Sequence, residues 1–109
     1  MTTLDKAIAI KVDQEHLTGT VVRPTTLVPG VLLVHGWGGT QEQYLARARQ
    51  IAALGCVCLT FDLRGHGGSD QQQDMVTRED NLRDVIAAYD VLVKQASVDK
   101  AAIAVIGSS

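Results

Sequence analysis

Three short segments hold the residue types that can do chemistry. His35-Gly36-Trp37-Gly38-Gly39, Asp62-Leu63-Arg64-Gly65-His66-Gly67-Gly68-Ser69 and Gly107-Ser108-Ser109 each follow directly on an apolar run. Between them they supply two histidines able to exchange protons near neutrality, and a carboxylate and a guanidinium two residues apart. They also supply serine hydroxyls, which become nucleophiles when a base is within reach. The glycines permit tight backbone turns at the places where strands end. Two other uses of glycine-rich loops fail on spacing. A dinucleotide fingerprint would need a third glycine at position 41, where Gln41 stands, and a phosphate-binding loop would need a Gly-Lys-Ser or Gly-Lys-Thr triplet, which does not occur.

The elements that must position these segments follow from periodicity. Residues 31–34, 56–61 and the stretch from Ala101 to Ile106 are apolar on both faces, as strands are inside a parallel sheet with helices on either side. In such a sheet the strand C-termini share one edge, where open α/β sheets place their ligands, so the three segments should converge. Thr40 and Gln43 match a capping box, which predicts a helix over 41–54 with Tyr44, Leu45, Ala48, Ile51, Ala52 and Leu54 as its apolar stripe and Gly55 as its stop. Thr77, followed by Glu79 and Asp80, predicts a second helix start. That helix is expected to run over 79–96 with Leu82, Val85, Ile86, Tyr89, Leu92 and Val93 inward, and with Glu79/Arg83 and Asp90/Lys94 as surface ion pairs. Upstream, 6–13 and 16–23 alternate in polarity, which predicts an antiparallel hairpin at the margin of the sheet. Gly19 marks a bulge or a close backbone approach in its second strand. Pro24 should end that strand, leaving 25–30 as loop.

Composition narrows the class. A chain of 109 residues with 46% hydrophobic and 20% charged residues is at most one globular domain. Its net charge of −2 gives no reason to expect nucleic acid or an acidic membrane surface as partner. No apolar run approaches the roughly 18 residues of a membrane span, and Met1 to Lys6 lacks the basic and apolar regions of a secretion signal. Cys56 and Cys58 fall on one face of a single strand, poorly placed to bridge, which fits a reducing cytosol and hence a cytoplasmic location. Too few Cys and His residues stand at ligand spacing to hold zinc, so no metal and no cofactor is expected.

Taken in order, the three segments resemble those of the α/β-hydrolase superfamily. His35 to Gly39 is similar to that family's oxyanion loop after the third strand, and Asp62 to Ser69 to its Asp-x-Arg-Gly-x-Gly-x-Ser signature after the fourth. Gly107-Ser108-Ser109 is similar to the first three residues of the Gly-x-Ser-x-Gly nucleophile elbow. The likeness covers essentially the whole chain. It implies the amino-terminal part of an α/β-hydrolase fold: a mostly parallel sheet in the order 1-2-4-3-5, an antiparallel front hairpin, and helices on both faces. It further implies that Ser109 is the nucleophile, with Ser108 in the variable position, and that the backbone N–H of Trp37 is an oxyanion donor. The Trp37 side chain would either line the acyl pocket or cap the core. His35 and His66 would support their loops, since the family's catalytic histidine comes late in the chain, and Asp62 and Arg64 would tie the loops through charged hydrogen bonds to backbone groups.

The implied substrate is a small-molecule carboxylic ester or thioester, attacked through an acyl-enzyme. A serine peptidase and a non-catalytic hydrolase-like protein are the alternatives. Dehalogenases and epoxide hydrolases of this scaffold use an Asp nucleophile, so Ser109 counts against both. The family's acid and histidine follow its serine. Residues 1–109 are therefore expected to form an incomplete domain that ends at the nucleophile elbow and is inactive alone. Such a domain leaves apolar surface uncovered and puts the strand from Ala101 to Ile106 at an edge, which predicts a partly molten chain or self-association by edge pairing.

Overall fold

A computed structural model describes residues 4–23, 27–69 and 75–108. Pro24, Ser109 and the far part of the polar loop after Ser69 lie outside the described residues. Within them the elements run β1 (Leu4–Val12), β2 (Glu15–Arg23), β3 (Val28–Val34), α1 (Glu42–Ala53), β4 (Val57–Phe61), α2 (Arg78–Val93) and β5 (Val98–Gly107). The strands form a single sheet in the order β1-β2-β4-β3-β5, as expected. Strand β2 is antiparallel to both β1 and β4, whereas β3 is parallel to β4 and β5.

All of β4 is buried, and it ladders with Gly19 to Val22 on one side and Gly30 to Val34 on the other. Its alternate side chains feed two cores. Val57, Leu59 and Phe61 join Ile10, Leu17, Val21 and Leu32 beneath Ala88 and Leu92 of α2. Cys58 joins Val22, Val31 and Leu33 beneath Ala48 and Ala52 of α1. The helices thus lie on opposite faces, as right-handed crossovers running in opposite directions require. Burial, with a smaller effect of Cys56, pushes the Cys58 thiol up to about 12, so the side chain serves as core filling.

At Gly19 the reading is a close approach. The β1–β2 register is unbroken from Leu4↔Arg23 to Val12↔Glu15, and a Cβ on Gly19 would stand 2.9 Å from the Thr60 carbonyl oxygen. The hairpin turns on Asp13 and Gln14, with Asp13 at φ 55°, a left-handed conformation that Asp tolerates.

Five expectations need correction. Strand β3 begins at Val28 inside the expected loop, because the Val28 N–H donates to the Ser97 carbonyl at 2.8 Å and a register shift between Val28 and Gly30 absorbs Pro29. Helix α1 starts after Gln41, and no side chain caps it. Gln41 is drawn to the sheet instead: its Oε1 accepts from Thr20 Oγ1 at 3.0 Å and Thr60 Oγ1 at 2.8 Å, leaving Thr40 one residue too early to cap. Leu54 falls outside the stripe as the exposed C-cap residue. Helix α2 does open on Thr77, in a capping box with Asp80, but it ends at Val93 and is rotated from the predicted stripe. It buries Asp84, Ala88 and Leu92 and leaves Leu82 60% and Ile86 51% exposed. The surface pairs also differ: Arg83 bonds Asp13 at 2.6 Å and Asp80 at 2.5 Å rather than Glu79. Strand β5, by contrast, stands at the edge as expected: it has an interior composition and a ladder to β3 alone, with Val105 at 52% and Ile106 at 43% exposure.

Candidate active site

The C-terminal ends of β3, β4 and β5 lie side by side, and the loops leaving the first two are bonded to each other. His35, buried at the end of β3, accepts the Leu63 N–H on Nε2 at 3.0 Å. Its proton therefore sits on Nδ1, which donates to the Gly36 carbonyl at 2.7 Å. Burial holds its pKa below the ordinary histidine value, helped by the neighbouring His66 and opposed by Gly36 and Asp62. His66 in the β4 loop makes the reciprocal bond: its Nε2 accepts the Gly38 N–H at 2.9 Å and its Nδ1 donates to the Arg64 carbonyl at 3.1 Å. Each loop's imidazole thus takes an amide from the other loop, with the rings 5.0 Å apart. All four ring nitrogens are engaged in holding backbone, which is the supporting role expected of both histidines.

Asp62 holds a third seam. Its Oδ1 accepts the Gln41 N–H at 2.7 Å, and its Oδ2 accepts the Gly68 N–H at 3.1 Å. The far end of the loop folds back onto β2, where Ser69 Oγ accepts from the Thr18 N–H at 2.8 Å and donates to the Asp62 carbonyl at 2.6 Å. Gly67 is required there: it sits at φ 51°, and a Cβ on it would fall 2.4 Å from the Asp62 carboxyl carbon.

Arg64 acts otherwise than expected. Its guanidinium bonds carboxylates, not backbone: Asp84 Oδ1 at 2.8 Å from Nε and 2.7 Å from Nη2, Asp13 at 3.2 Å and Asp80 at 3.4 Å. Asp84 Oδ2 also accepts the Arg64 N–H at 3.0 Å, and neither side chain reaches solvent appreciably. Burial alone would lower the Arg64 pKa, but the hydrogen bonds and charge of Asp84 outweigh it and hold the value above the ordinary one. Sequence reading missed Asp84. The available signal was its position four residues before Ala88 and eight before Leu92, an acid on the inward face of α2.

The loop from His35 to Gly39 is a tight turn. The Gly39 N–H donates to the Gly36 carbonyl at 2.9 Å, and Gly38 sits at φ 82°, the pattern of a type II turn with Trp37 and Gly38 at its corners. The exposed Trp37 side chain lays its ring edge-on against His66, with centroids 4.9 Å apart, so it does not cap the core. The Trp37 N–H has no acceptor among the described residues. At the end of β5 the Ser108 N–H donates to the Val34 carbonyl at 3.1 Å, which brings the chain out beside His35. Tyr44 Oη, from the first turn of α1, donates to Ser108 Oγ at 2.5 Å. The sequence pattern placed Tyr44 in the core stripe and gave no sign of this contact. Ser109 lies just beyond the described residues. Among the described residues no group of His, Cys, Asp and Glu side chains is arranged to hold a metal, and no helix is long and apolar enough to cross a membrane.

Comparison with known proteins follows the same segments. A model of the family described as serine aminopeptidase, S33, matches residues 28–109. Over 70 residues, 61% of this chain, the sequence is 40% identical to the quorum-quenching protein AidA of Acinetobacter baumannii (strain MDR-ZJ06). Est1E from Butyrivibrio proteoclasticus, solved with ferulic acid bound, superposes on 94% of this chain with a TM-score of 0.86 and 26% identity. The α/β hydrolase GrgF from Penicillium sp. sh18 superposes on 98% with a TM-score of 0.82 and 20% identity, a likeness of fold. The matched portions make up 23% of AidA, 43% of Est1E and 37% of GrgF, so the chain spans less than half the length of each.

Proposed function

Because the chain belongs to the serine aminopeptidase S33 family of α/β-hydrolases, we propose that the full-length protein is a serine hydrolase that cleaves small carboxylic esters or thioesters through an acyl-enzyme at Ser109. The observation that carries this reading is the bonded pair of loops. His35, His66 and Asp62 fix the turn containing Trp37 beside the point where Ser108 leaves the sheet. In this reading Ser109 Oγ attacks the acyl carbonyl and gives its proton to a histidine later in the full-length chain. The tetrahedral oxyanion accepts hydrogen bonds from the Trp37 N–H and from the N–H of the residue after Ser109. That histidine then protonates the leaving alcohol or thiol, and water admitted to the same site releases the acid. His35 and His66 are excluded as the base by their engaged ring nitrogens. The bound ferulic acid of Est1E, a carboxylic acid, supports a carboxylic acyl group as the part of the substrate that Ser109 would take up. Membership of a serine aminopeptidase family favours a second reading, a serine peptidase using the same serine.

The test is a fluorophosphonate probe on the full-length protein, with p-nitrophenyl esters and aminoacyl p-nitroanilides as substrates. Labelling that disappears in S109A, with turnover of the esters, is expected. Preferred turnover of the anilides selects the peptidase, and labelling unchanged by S109A refutes Ser109 as nucleophile.

A further inference from the structure

The end of β5 is tied to α1 by a single side chain. The segment that carries Trp37 is fixed locally. The Gly36 carbonyl shares a peptide with the Trp37 N–H, and it accepts both His35 Nδ1–H at 2.7 Å and the Gly39 N–H at 2.9 Å. Farther on, the Gln41 N–H is bonded to Asp62 and its side-chain oxygen takes the hydroxyls of Thr20 and Thr60. The end of β5 has less support. The strand ladders with β3 alone, and a Cβ added at Gly107 would meet nothing within 4 Å.

Ser108 is held by two hydrogen bonds, one from each end of the segment that carries Trp37. Its N–H donates to the Val34 carbonyl at 3.1 Å, and its Oγ accepts from Tyr44 Oη, in the first turn of α1, at 2.5 Å. The first bond orients the planar Gly107–Ser108 peptide and so places the Ser108 Cα. The second, with χ1 in a staggered well, places its Cβ. Tetrahedral geometry at Cα then sets the direction of the bond that leads on to Ser109.

We propose that Tyr44 is a positioning residue for the nucleophile: through Ser108 it sets Ser109 against the turn that carries the Trp37 N–H. The inference rests on the reading of Ser109 as nucleophile and Trp37 as oxyanion donor. It assigns Tyr44 no contact with substrate and no proton transfer, so the effect belongs in kcat rather than KM.

Taking the hydroxyl from either partner breaks the bond and leaves the Tyr44 ring and the Ser108 backbone in place. Y44F, S108A and the double variant Y44F/S108A are compared in the full-length protein, with p-nitrophenyl esters as substrates. Titration with the fluorophosphonate corrects each kcat for the fraction of folded sites, so a purely stabilising role does not register. Each single variant should lose about three- to tenfold in kcat, the worth of one side-chain hydrogen bond, with KM within about twofold of wild type. The rate of fluorophosphonate labelling should fall in parallel. Because the same bond is lost in all three, the double variant should fall no further than the slower single variant, whereas independent effects would multiply. A loss in Y44F of less than about threefold, a rise in KM with kcat unchanged, or losses that multiply in the double variant overturn the proposal. If S108A does not fold, Y44F decides alone by the same threshold. A wild-type protein that takes up no fluorophosphonate defeats the underlying reading and the proposal with it. Normal wild-type labelling with an unaltered Y44F defeats the assignment of Tyr44 alone.

Discussion

Replacing Asp84 with alanine tests the network that fixes the β4 loop. The substitution removes the acceptors of three Arg64 donors, the backbone N–H, Nε and Nη2, which lie 3.0, 2.8 and 2.7 Å from the carboxylate. It leaves a guanidinium whose side chain is 4% exposed facing a cavity. Removing one partner of a buried ion pair costs about 3–5 kcal/mol, since the other charge stays desolvated. Asp13 and Asp80 remain at 3.2 and 3.4 Å, but both also serve Arg83. Their compensation places the expected loss at the low end, about 3 kcal/mol, a large share of a domain's typical stability of roughly 5–15 kcal/mol. Urea unfolding of the full-length protein, followed by far-UV circular dichroism, measures it. The double variant R64M/D84M, which removes both charges and keeps apolar volume, should be more stable than the two single losses summed, by about 2 kcal/mol. A loss below about 1 kcal/mol in D84A, or additivity in the cycle, would refute the claim that this pair acts as a buried unit.

Two further outcomes follow from the loops. His35 is kept neutral by burial and by the Leu63 N–H on its Nε2, so its folded pKa lies below the unfolded 6.5. Under acid conditions the unfolded chain binds the extra proton, so this contribution is complete above that value and is lost as pH falls through the folded pKa. The urea midpoint of wild type should accordingly drop more between about pH 7.5 and 5 than that of H35N, and parallel pH profiles would show the assignment wrong. The G67A variant places a methyl group 2.4 Å from the Asp62 carboxyl carbon at φ 51°. It should lose at least about 1–2 kcal/mol from the backbone conformation alone, together with the ester turnover proposed for the full-length protein, because Asp62 cannot move without releasing the Gln41 and Gly68 amides. Wild-type stability in G67A would contradict that account.

The sheet was readable because its evidence in sequence is local and redundant. Unbroken apolar runs at 31–34 and 56–61, an alternating hairpin and glycines at strand ends all point to one topology, and the ladders of β4 to both β2 and β3 bear it out. What escaped were partnerships made across the fold. Thr40 satisfies every local criterion for an N-cap, but the choice was settled by Thr20 and Thr60 drawing in Gln41 from distant strands. Leu82, Ile86 and Tyr89 form a convincing apolar stripe, but α2 is rotated so that Asp84 reaches Arg64, 20 residues upstream. A charged residue on a helix ordinarily reads as solvent-facing. Only its partner reveals it as interior, and periodicity cannot name a partner. At the site the two histidines, Asp62 and the glycine turns were legible through the resemblance. The direction of Arg64 and the contact of Tyr44 with Ser108 were not, because each depends on how two elements lie against each other.

The order β1-β2-β4-β3-β5 has a consequence for synthesis as well as for architecture. A chain leaving the ribosome amino end first completes β2 and β3 before β4 exists, although those two strands never touch. With strands about 4.8 Å apart, the space between them is a slot about 10 Å wide, waiting for a strand not yet made. During that interval the nascent chain presents two open edges, with Val22 and Leu33 uncovered on either side of the gap. At about 5–20 residues per second, the 27 residues from His35 to Phe61 take on the order of one to five seconds to appear. The middle of this sheet is therefore threaded rather than appended. Until Phe61 emerges, those apolar edges have no partner within the chain.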